Sequence, residues 1–112
     1  MTIKWVQVDP LVMNGEPFCY GSRLTVRQLL ELRGNGYDLQ RLTKDHPELK
    51  RVGIAAAYTY AADHSERYAE FFDADGSITG PGYSEAEAAG LPEQYRRPGI
   101  VITTDVPATP AG

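Results

Sequence analysis

Thr25-Val26-Arg27-Gln28-Leu29-Leu30-Glu31-Leu32-Arg33-Gly34-Asn35-Gly36-Tyr37-Asp38 is a helix with both of its ends written into the sequence. Thr25 and Gln28 have the spacing of a capping box, in which the hydroxyl and the amide side chain satisfy groups that a first helical turn leaves free. Val26, Leu29, Leu30 and Leu32 supply an apolar face, and Gly34-Asn35-Gly36 accepts the left-handed backbone at a helix C-terminus. Asp38 then caps a second short helix that carries Leu39 and Leu42 inward. His46-Pro47 closes it, because proline pushes the preceding residue out of helical geometry. From about Glu48, the residues Leu49, Val52, Ala56 and Tyr60 keep helical spacing, and Ala55 to Ala62 has high helix propensity. A third, longer helix is therefore expected to reach Phe71 or Phe72.

Toward the N-terminus, Ile3 to Val8 is rich in β-formers and is stopped by Asp9-Pro10. Asn14-Gly15 tolerates positive φ at both positions, and Phe18-Cys19-Tyr20 reads as the return strand of a small hairpin. Toward the C-terminus, Asp73-Ala74-Asp75-Gly76 and Gly80-Pro81-Gly82 are breaks, and Ser84-Glu85-Ala86-Glu87 is a second capping box opening a very short helix. Ile100 to Thr104 is a short β-type run, and Pro107 to Gly112 reads as a flexible end. The fold expected is mainly α with a small N-terminal β-hairpin. A compact unit spans 1–72, and an extended C-terminal segment for partner binding or dimerisation spans 73–112.

A chain of 112 residues holds one modest core. No apolar run approaches the roughly 20 residues needed to cross a bilayer, and residues 1–5 begin no secretory leader, so a cytoplasmic protein is expected. The lone Cys19 is read as a small buried apolar side chain. The net charge of −4 is unevenly spread. Residues 1–60 hold eight Lys/Arg against six acids, whereas residues 61–112 hold three arginines against nine acids. The front half suits a polyanion better than the back half does.

The series Val8-Asp9-Pro10, Val12-Met13-Asn14-Gly15-Glu16-Pro17, Gly21-Ser22-Arg23-Leu24-Thr25-Val26 leads into Leu29, Leu32, Gly36-Tyr37-Asp38, Leu42, His46-Pro47-Glu48-Leu49, Val52, Ala56 and Tyr60-Ala61. Over residues 3–66 it resembles domain-of-unknown-function family 433, the VapB-type antitoxin-like domains. The sequence departs from the usual pattern at Asn14-Gly15, where a glycine pair is common, and at Phe18-Cys19-Tyr20, where an aliphatic-then-basic run is usual. The resemblance implies a three-helix, winged-helix-like helix-turn-helix domain. It also implies a bacterial antitoxin that binds promoter DNA, commonly as a homodimer, and neutralises a PIN-like nuclease toxin.

A helix-turn-helix places the N-terminal end of its second helix against bases and phosphates, and here that end is Lys50-Arg51. Arg23, Arg27, Arg41 and Lys44 are candidates for backbone contacts, which position a duplex without specifying its sequence. The bland alternative is that all six are solvated surface residues, with Arg23 tying the hairpin to the helix start. In the C-terminal segment, Arg96 and Arg97 are the candidate toxin-binding pair, since bidentate arginine suits the carboxylate cluster of a metal-dependent nuclease. Two other functions stay open: a stand-alone transcriptional regulator, and an interaction module without DNA binding.

No enzyme, cofactor or metal site is expected. His46 precedes a proline, His64 lies on a polar helix face, and neither has a nucleophile paired to it. Asp73-x-Asp75-Gly76 opens like a calcium loop but lacks the closing ligands, so a plain turn explains it. Tyr58, Tyr60 and Tyr68 are spaced for packing rather than for base stacking.

Overall fold

The computed structural model describes residues 5–11 and 13–103. The fold is mostly helical with a small antiparallel hairpin at its N-terminal end. Strand β1 (Val6–Gln7) pairs with β2 (Phe18–Cys19) in the register Val6 to Cys19 and Gln7 to Phe18. The Tyr20 amide extends the ladder to the Trp5 carbonyl at 2.8 Å. Asn14 and Gly15 both take positive φ, 55° and 79°, as the Asn-Gly pair predicts. Of the longer strand expected from Ile3, residues 3 and 4 lie outside the described residues.

Helix α1 (Val26–Gly34) starts as the sequence indicates: the Gln28 amide donates to Thr25 Oγ1, and the Thr25 amide donates to Gln28 Oε1, both at 3.0 Å. It ends in a Schellman arrangement. The Tyr37 amide reaches back to the Leu32 carbonyl at 3.1 Å, the Gly36 amide to Arg33 at 3.0 Å, and Gly36 sits at φ 97°. Helix α2 (Leu39–Asp45) is capped by the Asp38 carboxylate, which accepts from the Arg41 amide at 2.9 Å. It buries Leu39 and Leu42.

Helix α3 (Arg51–Asp63) stops well short of Phe72. Its last turn closes at His64, whose amide donates to the carbonyls of Tyr60 and Ala61 and whose ring stacks on Tyr60 at 4.1 Å. Ser65, Glu66 and Arg67 are all exposed, so a continuing helix would have no apolar stripe to bury until Tyr68. The chain turns instead, which carries Tyr68 into the core, and a single 3₁₀ turn follows at Ala69–Phe71. Gly53 to Tyr58 and Ala61 are all buried. A helix enclosed on every side is a central helix rather than a surface one.

The core continues past Phe72. Ile78, Tyr83, Ala88, Leu91, Ile100 and Val101 join the same buried cluster as Leu29, Leu30, Ile54 and Tyr58. Residues 78–103 form a loop-rich clasp over α1 and α3, and within it α4 (Glu85–Ala88) is capped by Ser84 as its capping box predicts. The clasp is laced to itself: the Ile78 amide donates to the Gly99 carbonyl at 3.0 Å, Tyr83 to Val101 at 2.7 Å and Thr103 to Tyr83 at 3.0 Å. Of the β-type run expected from Ile100, Ile102 forms isolated bridges to Tyr83 and Pro98, and Thr104 lies outside the described residues, as does the end from Pro107. The C-terminal segment is therefore, as far as Thr103, packed against the helices. Among the described residues no helix is long and apolar enough to cross a membrane.

Candidate nucleic-acid interface

The N-terminal tip of α3 differs chemically from the other helix starts. Thr25, Asp38 and Ser84 each accept a first-turn amide with a side-chain oxygen, whereas Lys50, in the same position for α3, makes no side-chain cap. No acid occupies the first turn of α3 either, and Lys50 and Arg51 are both exposed. Cations beside a helix N-terminus oppose its partial positive charge and leave its amides open. That combination favours an anion, and phosphate is the usual one.

The loop that carries Arg23 reaches the segment leading into this tip. The Ser22 hydroxyl donates to Glu48 Oε2 at 3.4 Å, which brings the loop after β2 against the loop that leads into α3. Arg23 is exposed on that loop and has no ion pair among the described residues; the same holds for Lys50 and Arg51. The tip is tied to the clasp: the Tyr83 hydroxyl donates to the Arg51 carbonyl, and the Tyr83 ring packs edge-on against Tyr58 at 6.4 Å.

The other expected contacts are spread out. Arg41 stacks over the Tyr37 ring at 4.0 Å, with Asp45 at 3.9 Å, and shares an open polar groove of about 720 Å³ with Lys44, Asp38 and Asp45. Basic and acidic groups offset each other there. Arg27 is committed within the molecule: it pairs with Glu70 at 2.6 Å, donates to the Arg67 carbonyl at 3.1 Å, and lies over the rings of Tyr68 and Phe71. Arg97 pairs with Asp63 at 2.9 Å, and its carbonyl gathers the amides of Ile100, Val101 and Ile102, while Arg96 is exposed. The two arginines taken together as a partner-binding pair thus differ in availability.

The residue that sequence reasoning missed is Arg33. It is fully buried, and its guanidinium donates to the carbonyls of Gly80 (Nε, 3.2 Å), Ile100 (Nη1, 2.5 Å) and Ile78 (Nη2, 3.3 Å) while lying 4.6 Å from the Tyr58 ring centroid. Burial pushes its pKa down, although an arginine stays charged even so. The signal was available: Arg33 continues the Val26, Leu29, Leu30 stripe at i+7, where an apolar residue belongs. Among the described residues no group of three or more His, Cys, Asp or Glu side chains gathers to hold a metal.

A family model described as "Protein of unknown function (DUF433)" matches residues 6–61, from β1 almost to the end of α3. No curated protein and no solved structure matches the chain. The match stops before the clasp, so it includes Arg33 and Tyr58 but none of the three carbonyls that Arg33 holds.

Proposed function

The chain belongs to the DUF433 family of proteins of unknown function, and we propose that it is a DNA-binding protein of antitoxin type that grips the phosphate backbone with the tip of α3. The single observation that carries this reading is the α3 N-terminus without a side-chain cap, with Lys50 and Arg51 on it making no ion pair among the described residues and with Arg23 on the neighbouring loop. Three such cations meeting phosphates release counterions, so the affinity falls with salt. Because α3 is enclosed, it engages a duplex end-on rather than by lying along a groove. Acting as a helix-turn-helix, the domain would position itself mainly through phosphates, and a homodimer would double the contacts. Exposed Arg96 is the cation that remains for a PIN-like nuclease toxin, and a regulator without a toxin would use the same DNA contacts.

The test is a fluorescence anisotropy titration of the chain with a duplex from its own promoter at several salt concentrations. The proposal expects a log–log salt slope of about −2 to −3 per protomer bound, which shrinks by about two per protomer in the Lys50→Ala/Arg51→Ala variant. Binding that ignores both salt and this variant would refute it. A second reading, an interaction module without DNA contact, is favoured by the enclosure of α3 together with the overall charge of −4, and absence of binding at low salt would support it.

A further inference from the structure

At the end of α3 opposite the basic tip, about 18 Å away at 1.5 Å per residue, the chain leaves an open cavity of about 480 Å³. That is within the usual size of a small-molecule site. Part of its lining is apolar: Ala62 from α3, Ala69 and Phe72 from the turn that follows, and Ile100 from the clasp. The rest is polar or charged, with Ser65, Glu66, Asp73 and Arg97.

The charges in the lining do not cancel. Arg97 is already paired with Asp63 at 2.9 Å. Asp73 is held in place by the Thr79 hydroxyl, which donates to Oδ1 at 2.6 Å, and by the Ser77 hydroxyl, which donates to Oδ2 at 3.4 Å, and it has no ion pair among the described residues. Glu66 is exposed and has no ion pair among the described residues. The two free carboxylates disfavour an anion, and a neutral apolar molecule would cover the apolar side chains while desolvating carboxylates for nothing. The ligand class that answers both parts of the lining is an organic cation on an apolar stem.

We propose that this cavity binds a small amphipathic organic cation, an amine or guanidinium with an aromatic or aliphatic body. The body lies on Phe72 and Ile100, and the cationic head sits between Glu66 and Asp73. The site shares no residue with the α3 tip and does not depend on DNA binding.

The probe is phenethylammonium, titrated into the full-length chain and followed by amide chemical shifts, with 2-phenylethanol as an uncharged molecule of similar shape. The proposal expects saturable shifts confined to residues 62–76 and 97–100, an affinity for the alcohol at least about tenfold weaker, and a several-fold loss of amine affinity in Glu66→Gln. Glu66 is exposed, so the spectrum of the free variant reports directly that the fold is intact. Equal affinity for amine and alcohol, shifts centred elsewhere, or no saturation by about 10 mM amine would each overturn it.

Discussion

The guanidinium of Arg33 lies over the ring of Tyr58 at 4.6 Å, a cation held against an aromatic face at the centre of the molecule. No carboxylate among the described residues pairs with it. Three clasp carbonyls take its donors instead, from residues 45 to 67 positions away in sequence, and together with the ring they offset the cost of burying the charge. This one side chain joins α1, α3 and the clasp.

Replacing Arg33 with methionine keeps much of the volume and strands three carbonyls, those of Ile78 and Ile100 in buried hydrogen bonds and that of Gly80 in a part-buried one. A stability loss of about 3–5 kcal/mol is expected in urea unfolding. Arg33→Lys restores the charge without the planar fork and is expected to recover less than half of that loss. A loss below about 1 kcal/mol for Arg33→Met would show the clasp to be held by apolar packing alone.

Gly80 faces the same contact. Its φ is 102°, and a Cβ there would overlap the Arg33 carbonyl. Gly80→Ala is expected to cost more than about 2 kcal/mol. Gly90→Ala, whose Cβ meets nothing within 4 Å, is expected to change stability by less than about 1 kcal/mol. Thermal unfolding of the two variants side by side checks the contrast.

Tyr68 is completely buried, and its hydroxyl has no hydrogen-bond partner among the described residues. Burying an unpaired hydroxyl is costly, so Tyr68→Phe is expected to leave stability unchanged or raise it by up to about 1 kcal/mol. A clear loss in the same unfolding assay would reveal that the hydroxyl is satisfied.

Burial raises the Cys19 thiol from an ordinary value near 9 to about 12, and it pushes the Tyr58 and Tyr83 hydroxyls up as well. Below pH 9 the thiol is protonated whether folded or unfolded, and its contribution to stability is complete. Between pH 9 and about 12 only the unfolded thiol ionises, so stability falls as pH rises, by up to about 1.4 kcal/mol per pH unit for each such group. Native protein at neutral pH is expected to resist a thiol reagent that labels it at once in urea. Rapid labelling without denaturant would contradict the burial.

Arg27 and the α3 tip separate stability from binding. Arg27→Ala removes an ion pair and a cation lying over two rings, and a stability loss of about 1–2 kcal/mol is expected with DNA affinity unchanged. Lys50→Ala/Arg51→Ala is expected to do the reverse. Measuring both variants by urea unfolding and by anisotropy decides whether the two roles are distinct.

What was legible in the sequence was local. The Thr25 and Ser84 capping boxes, the Asp38 cap, the Asn14-Gly15 turn and the stop at His46-Pro47 involve partners within a few residues, and each is found where the residues indicate. The end of α3 was not legible, because Tyr60, Tyr68 and Phe71 imitate helical spacing while Tyr68 reaches the core by a turn. Arg27 looked like one more surface cation because its partner Glu70 lies 43 residues on. Arg33 stood out of its apolar stripe, yet nothing nearby in sequence names the carbonyls that receive it. Of the candidate interface, Lys50 and Arg51 were readable from composition, whereas the absence of a cap and the approach of Arg23 required the fold.

The reach of Arg33 to Ile100 also sets an order of events during synthesis. α1, α2 and the hairpin are complete in sequence by residue 45, but α3 has no cover over Tyr58 and Arg33 has no acceptors until residues 78–100 have left the ribosome. A nascent chain paused before that point exposes a bare aromatic helix and an unsatisfied cation, the kind of surface that chaperones bind and proteases cut. Closure of so long a loop is entropically slow to begin, and once made it locks all at once. A chain that ends before residue 78 is therefore expected to be cut by a protease far faster than the full chain.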